Sequence, residues 1–234
     1  MSNVVFLHIP KTGGTALKYL SRADQARLGF SVTRVHRVTL ENSAASSHVV
    51  FGIRDPWQRF CSGYWERATM TRRRDYYEQR MKHQKVESFG YSELRHEESE
   101  LLKRFPTPDS LITHWRTNNV TWGKRDLRVP IWEMLCSITR WTGEPQSFRC
   151  NENRVRMVYE VSDMTEVFRN VYGVEMPQDP FRKRSRELFD LSQSYETSDE
   201  NLAWFREVFR PEDYELVDYI RSRPYYRNAD NSVM

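Results

Sequence analysis

Apolar residues in this chain gather in short runs divided by long polar stretches, and the runs have the lengths of strands and short helices. Asn3–Ile9 is rich in β-branched residues and is expected as strand one. Thr15–Leu28 places Ala16, Leu17, Tyr19, Leu20 and Leu28 where a helix can bury them, and Gly29 supplies a stop. Ser31–Val35 reads as strand two. His48–Ile53 is apolar almost without alternation, the pattern of a strand covered on both faces of a parallel sheet. Pro56 suits the first turn of a helix carrying Trp57, Phe60, Cys61, Tyr64 and Trp65.

Residues 66–128 are very polar and are expected as a helical insertion outside the sheet. Ile131–Trp141 predicts a helix closed by Gly143-Glu144-Pro145. Val155–Val161 predicts a later strand. Ser162 is the expected cap of a helix reaching Tyr172, with Gly173 after it. Ser198-Asp199-Glu200 and Arg210-Pro211-Glu212-Asp213 open two further helices. The order predicts a single α/β domain over 1–234, with a central parallel sheet flanked by helices.

Composition narrows this picture. The chain has 234 residues, 29% of them charged and 13% aromatic, so a folded domain is expected despite the polarity. The net charge of +4 comes from interleaved acids and bases, which argues against a nucleic-acid partner. No apolar stretch is long enough for a membrane span, and no signal-peptide pattern precedes strand one. With Met1 as the native start, the expectation is a soluble, cytoplasmic protein. The three cysteines lack zinc-site spacing and read as reduced thiols, with a Cys136–Cys150 bridge as the alternative.

Two segments carry chemistry. In the first, a strand runs into Lys11-Thr12-Gly13-Gly14-Thr15 and then a helix. Such a turn offers backbone N–H groups of residues 12–16, Ala16 included, to an anion at the positive end of the helix. Lys11 adds charge, and Thr12 and Thr15 add hydroxyls. Against G-x-x-x-x-G-K-[ST], the lysine lies three residues too early, so this cradle differs from that for ATP or GTP. In the second segment, Arg54 follows a strand end and offers a planar fork to a phosphate. Ser62 lies eight residues on, about two helical turns.

His8-Ile-Pro-Lys-Thr-Gly-Gly-Thr15 resembles the 5′-phosphosulfate loop of sulfotransferases that use 3′-phosphoadenylyl sulfate (PAPS). Ile53-Arg54-Asp55-Pro56 with Arg59, Ser62 and Tyr64 resembles their 3′-phosphate motif, R-D-P-x-x-R-x-x-S-x-Y. The carbohydrate branch, with heparan sulfate 2-O-sulfotransferases and bacterial relatives, is the most similar. The resemblance implies a three-layer, P-loop-NTPase-like fold. It implies sulfuryl transfer from PAPS to an acceptor hydroxyl, with a carbohydrate as the acceptor class and adenosine 3′,5′-bisphosphate as product. Lys11, Thr12, Gly13, Gly14, Thr15 and Ala16 would bind the phosphosulfate, and Arg54 and Ser62 the 3′-phosphate. Arg182 and Lys183 would close over that phosphate, as a late basic loop does in the family. No metal is expected.

The transfer also needs a base. His36 follows strand two, beside the expected loop, and imidazole titrates near working pH. The family uses a histidine or a glutamate; the first helix offers only Asp24, far along it, so His36 is the expected base, with Lys11 as the second catalytic residue. His8 is expected to support the loop. Two other functions compete: a P-loop kinase or nucleotide hydrolase, and a non-catalytic module binding polyanions.

Overall fold

The computed structural model describes residues 4–17, 19–30, 38–45, 47–66, 68, 101–119, 137–177 and 195–231. The chain divides into two compact units. The first comprises Met1–Arg59, Cys136–Asp179 and Arg210–Met234, and the second Phe60–Leu135 and Pro180–Phe209.

The first unit is α/β. Its described strands are β1 (Val4–Phe6), β2 (His48–Ile53), β3 (Val155–Glu160) and β4 (Tyr226–Arg227), paired in that order and all parallel. Helices follow the strands: α1 (Gly14–Leu17) and α2 (Arg22–Leu28) after β1, and α3 (56–66) after β2, of which the residues from Phe60 on belong to the second unit. α5 (Thr139–Thr142) and α6 (Pro145–Asn151) precede β3, α7 (Met164–Tyr172) follows it, and α9 (Pro211–Arg221) precedes β4.

Alternation along the strands separates two cores. Val49, Phe51 and Ile53 of β2 join Trp141, Phe148, Leu216, Val217 and Ile220 on one face. Val50 joins Phe6, Leu17, Leu28, Met157, Val167 and Phe168 on the other. A register shift between Val49 and Val50 leaves Arg156 without an opposite residue, so Val155 and Val158 share a face although three positions apart. Both faces of β2 are therefore covered, as its unbroken apolar run predicted.

Several boundaries differ from expectation. The helix expected over Thr15–Leu28 is two helices. The Tyr19 and Leu20 N–H groups bond to the Ala16 and Leu17 carbonyls, tightening the chain, and Ser21 then caps α2 by accepting from the Asp24 N–H at 3.1 Å. Gly29 ends α2 at φ 68°, as expected. Ser162 caps nothing: a 3-10 turn, Val161–Asp163, precedes α7, whose N-cap is Asp163. That carboxylate instead accepts the Ala229 N–H at 3.1 Å, a tertiary contact. Of the helix expected over Ile131–Trp141, residues 131–136 lie outside the described residues, Ser137 and Ile138 are non-helical, and a short helix covers Thr139–Thr142. Asp213 takes the donors there: its carboxylate accepts the Ile138 N–H at 2.9 Å and the Ser137 hydroxyl. Strand two at Ser31–Val35 and most of the 66–128 insertion lie outside the described residues.

In the second unit are α4 (Pro108–Thr117), opened by a Thr107/Ser110 capping box, and α8 (Asp199–Trp204), which runs into a π-turn, Phe205–Phe209. Phe60, Trp115, Phe205 and Phe209 pack their rings together. Asp109 ties α4 to α8, accepting from Thr197 Oγ1 at 2.5 Å and Asn201 Nδ2 at 2.8 Å. Burial pushes the Asp109 carboxyl up, but these bonds outweigh it and hold it below its ordinary range. Cys61 is buried and reduced, and Cys150 is exposed and reduced. No described helix is long and apolar enough to cross a membrane.

Candidate functional site

At the carboxyl end of β1 the chain leaves the sheet. Leu7 makes one more ladder bond, to the Val50 carbonyl at 3.0 Å, and the Ile9 N–H then turns back to the Leu7 carbonyl. Pro10 has no N–H to continue the ladder. Lys11 lies at φ 67° and Gly13 at φ 81°, both left-handed. For Lys11 this is a strained conformation, of order 1 kcal/mol, held by its surroundings.

Those surroundings are specific. The Thr12 hydroxyl donates to the Ile9 carbonyl at 2.8 Å, and Thr12 is fully buried. The Thr12 carbonyl accepts the phenolic hydroxyl of Tyr159, from the end of β3, at 3.2 Å. It also lies against Gly52 of β2, where a Cβ would come within 2.5 Å of it. Gly52 therefore lets the turn settle across the carboxyl end of the central strand. Gly14 is packed against the buried His8 ring, where a Cβ would stand 2.3 Å from Cδ2, and Gly13 lies against Met164 Sδ. His8 thus acts as a wall of the turn.

The Ala16 N–H closes the turn on the Gly13 carbonyl at 2.9 Å. Among the described residues, nothing accepts from the N–H groups of Thr12, Gly13 or Gly14. Three unused amides with Lys11 beside them suit an anion.

Arg54 and Asp55 follow β2 directly, two and three residues beyond Gly52, so the turn and the start of the second motif meet at one sheet edge. Arg54 is half-buried. Asp55 Oδ1 accepts the Gln58 N–H at 2.9 Å and caps α3, with Pro56 following. Arg59 is buried, its guanidinium 5.8 Å from the centre of the Trp141 ring. On β3, Glu160 pairs in register with Ile53. Its Oε2 accepts from Arg221 Nε at 3.1 Å, Arg221 Nη2 at 3.0 Å and the Tyr226 hydroxyl at 3.0 Å.

Two tyrosines here are held protonated. Complete burial pushes the Tyr159 phenol far above its ordinary range. Burial, then the Glu160 charge, pushes Tyr226 up to about 12. Tyr159 is thus a permanent hydrogen-bond donor to the turn.

Lys11, Thr12, Gly13, Gly14, Ala16 and Arg54 therefore belong to one edge of one unit. The backbone of Thr15 lies in α1. Ser62 is half-buried and belongs to the second unit. His36, Arg182 and Lys183 lie outside the described residues. Gly52 and Tyr159, which seat the turn, are not among the residues that local sequence pattern marked for the site. A lone glycine inside an apolar strand run is the signal for such a close backbone approach. Among the described residues no group of three or more His, Cys, Asp or Glu is arranged to hold a metal. Comparison with protein-family models, curated proteins and solved structures found no match.

Proposed function

We propose that this protein is a sulfotransferase, carrying a sulfuryl group from PAPS to an acceptor hydroxyl on a carbohydrate, on a P-loop-NTPase-like α/β fold. One observation carries the reading: the Lys11–Gly14 turn, with its unused amides, is seated by Gly52 on the strand that ends at Ile53, directly before Arg54. A nucleotide with two separated phosphate groups suits that edge, with the turn on the 5′ side and Arg54 on the 3′ side.

In the reaction the acceptor oxygen attacks sulfur in line with the leaving 5′-phosphate. An O–S bond forms, the S–O bond to the phosphate breaks with its electron pair, and adenosine 3′,5′-bisphosphate departs. Lys11 and the amides of Gly13 and Gly14 take up charge on the leaving oxygen. His36 takes the acceptor proton.

Incubation with labelled PAPS and a panel of glycans, read by mass for added sulfate, tests the assignment. Sulfated product that falls about 100-fold or more in K11A supports it. Absence of product across the panel, together with magnesium-dependent binding of ATP in place of the bisphosphate, overturns it.

A further inference from the structure

The Glu160 cluster is more elaborate than a strand end requires. Three donors converge on one carboxylate oxygen of Glu160, whose side chain is 12% exposed. Two come from Arg221, in the last turn of α9, and the third from Tyr226 on β4. The guanidinium is thereby fixed through Nε and Nη2. Among the described residues Nη1 donates to nothing, and the Arg221 side chain is 36% exposed. A guanidinium pinned on one edge, with N–H groups left over on another, is prepared for an anion.

Its place in the sheet says which anion. Glu160 stands opposite Ile53, the residue before Arg54, and neighbouring strands lie about 5 Å apart. Arg221 therefore stands one strand away from the root of Arg54, near enough to Asp55 to feel its charge. Burial disfavours the charge on Arg221, but Glu160, followed by Tyr226 and then Asp55, outweighs it, so the cation persists.

We propose that Arg221, positioned by Glu160 and Tyr226, is a further phosphate-binding residue of the nucleotide site, contacting the same 3′-phosphate as Arg54. This rests on the nucleotide reading above. It makes the C-terminal helix part of the donor site and makes Arg221 a reader of the 3′-phosphate.

Calorimetric titration of the full chain with adenosine 3′,5′-bisphosphate and with adenosine 5′-phosphate separates the possibilities. In R221Q the bisphosphate should bind about tenfold or more weakly, as expected on loss of a charge-assisted hydrogen bond, while the monophosphate is unaffected. The double variant E160Q/R221Q, which leaves no buried carboxylate unpaired, should behave the same way and covers the case in which R221Q fails to fold. Equal weakening of both nucleotides, or no weakening of either, overturns the role of Arg221 and leaves the nucleotide site standing. Wild-type protein that binds neither nucleotide overturns the site and this role together.

Discussion

The phenolic hydroxyl of Tyr159 donates to the carbonyl of Thr12 at 3.2 Å, joining the end of β3 to the turn after β1 across the intervening strand. Tyr159 is fully buried, packed edge-on against Phe168, and its hydroxyl has been moved out of reach of ionisation. The bond spans 147 residues of sequence and fixes a carbonyl whose neighbours are the unused amides.

Removing that hydroxyl tests whether the turn is preorganised. Y159F keeps the ring packing and leaves a buried carbonyl unsatisfied, so stability should fall by about 1–2 kcal/mol. Bisphosphate affinity should fall several-fold, because the turn must then be ordered by the ligand. Urea unfolding and calorimetry measure the two effects; unchanged affinity would mean that the turn holds its shape without Tyr159.

Gly52 admits no side chain. A methyl group there would stand 2.5 Å from the Thr12 carbonyl and 2.8 Å from the Tyr159 ring. One neighbour is backbone and the other is locked in the core, so G52A should cost about 1–3 kcal/mol and displace the turn. A melting temperature equal to that of the wild type would contradict the packing described.

Asp213 is expected to matter more for folding than for chemistry. It is buried in the first turn of α9, and its carboxylate holds the Ser137 hydroxyl and the Ile138 N–H ahead of α5. D213A strands both donors and should cost about 2–4 kcal/mol. Bisphosphate affinity, measured below the unfolding transition, should change little.

Tyr226 predicts an alkaline weakness. Its phenol titrates near the ordinary 10.0 when unfolded and at about 12 when folded, because burial and the Glu160 carboxylate oppose the phenolate. The neutral form favours folding, so this contribution is complete below pH 10 and is lost as the pH rises through 12. Urea midpoints across that range should fall for the wild type and fall less steeply for Y226F. Identical slopes would remove Tyr226 as a cause.

Much of the turn's local geometry was legible in residue order. Lys11-Thr12-Gly13-Gly14 could be read as a tight strand-to-helix turn, because glycines after a strand permit left-handed backbone and exposed amides. His48–Ile53 could be placed to the residue, because apolar residues on both faces need a covered parallel strand. Asp55-Pro56 also behaves locally, as a cap and a first turn. Other boundaries depended on partners distant in sequence. Asp163 turns to Ala229 instead of capping its own helix, and Asp213 decides where α5 begins.

Local pattern carries dihedral preference and burial, which are properties of a residue and its near neighbours. Gly52 beneath Thr12, Tyr159 on the Thr12 carbonyl, and Arg221 pinned to Glu160 bring together groups far apart in the chain. Those contacts exist only once the sheet has set the strands about 5 Å apart. No periodicity records which carbonyl a buried phenol will find, and that is why the turn itself could be read early while the groups that seat it could not.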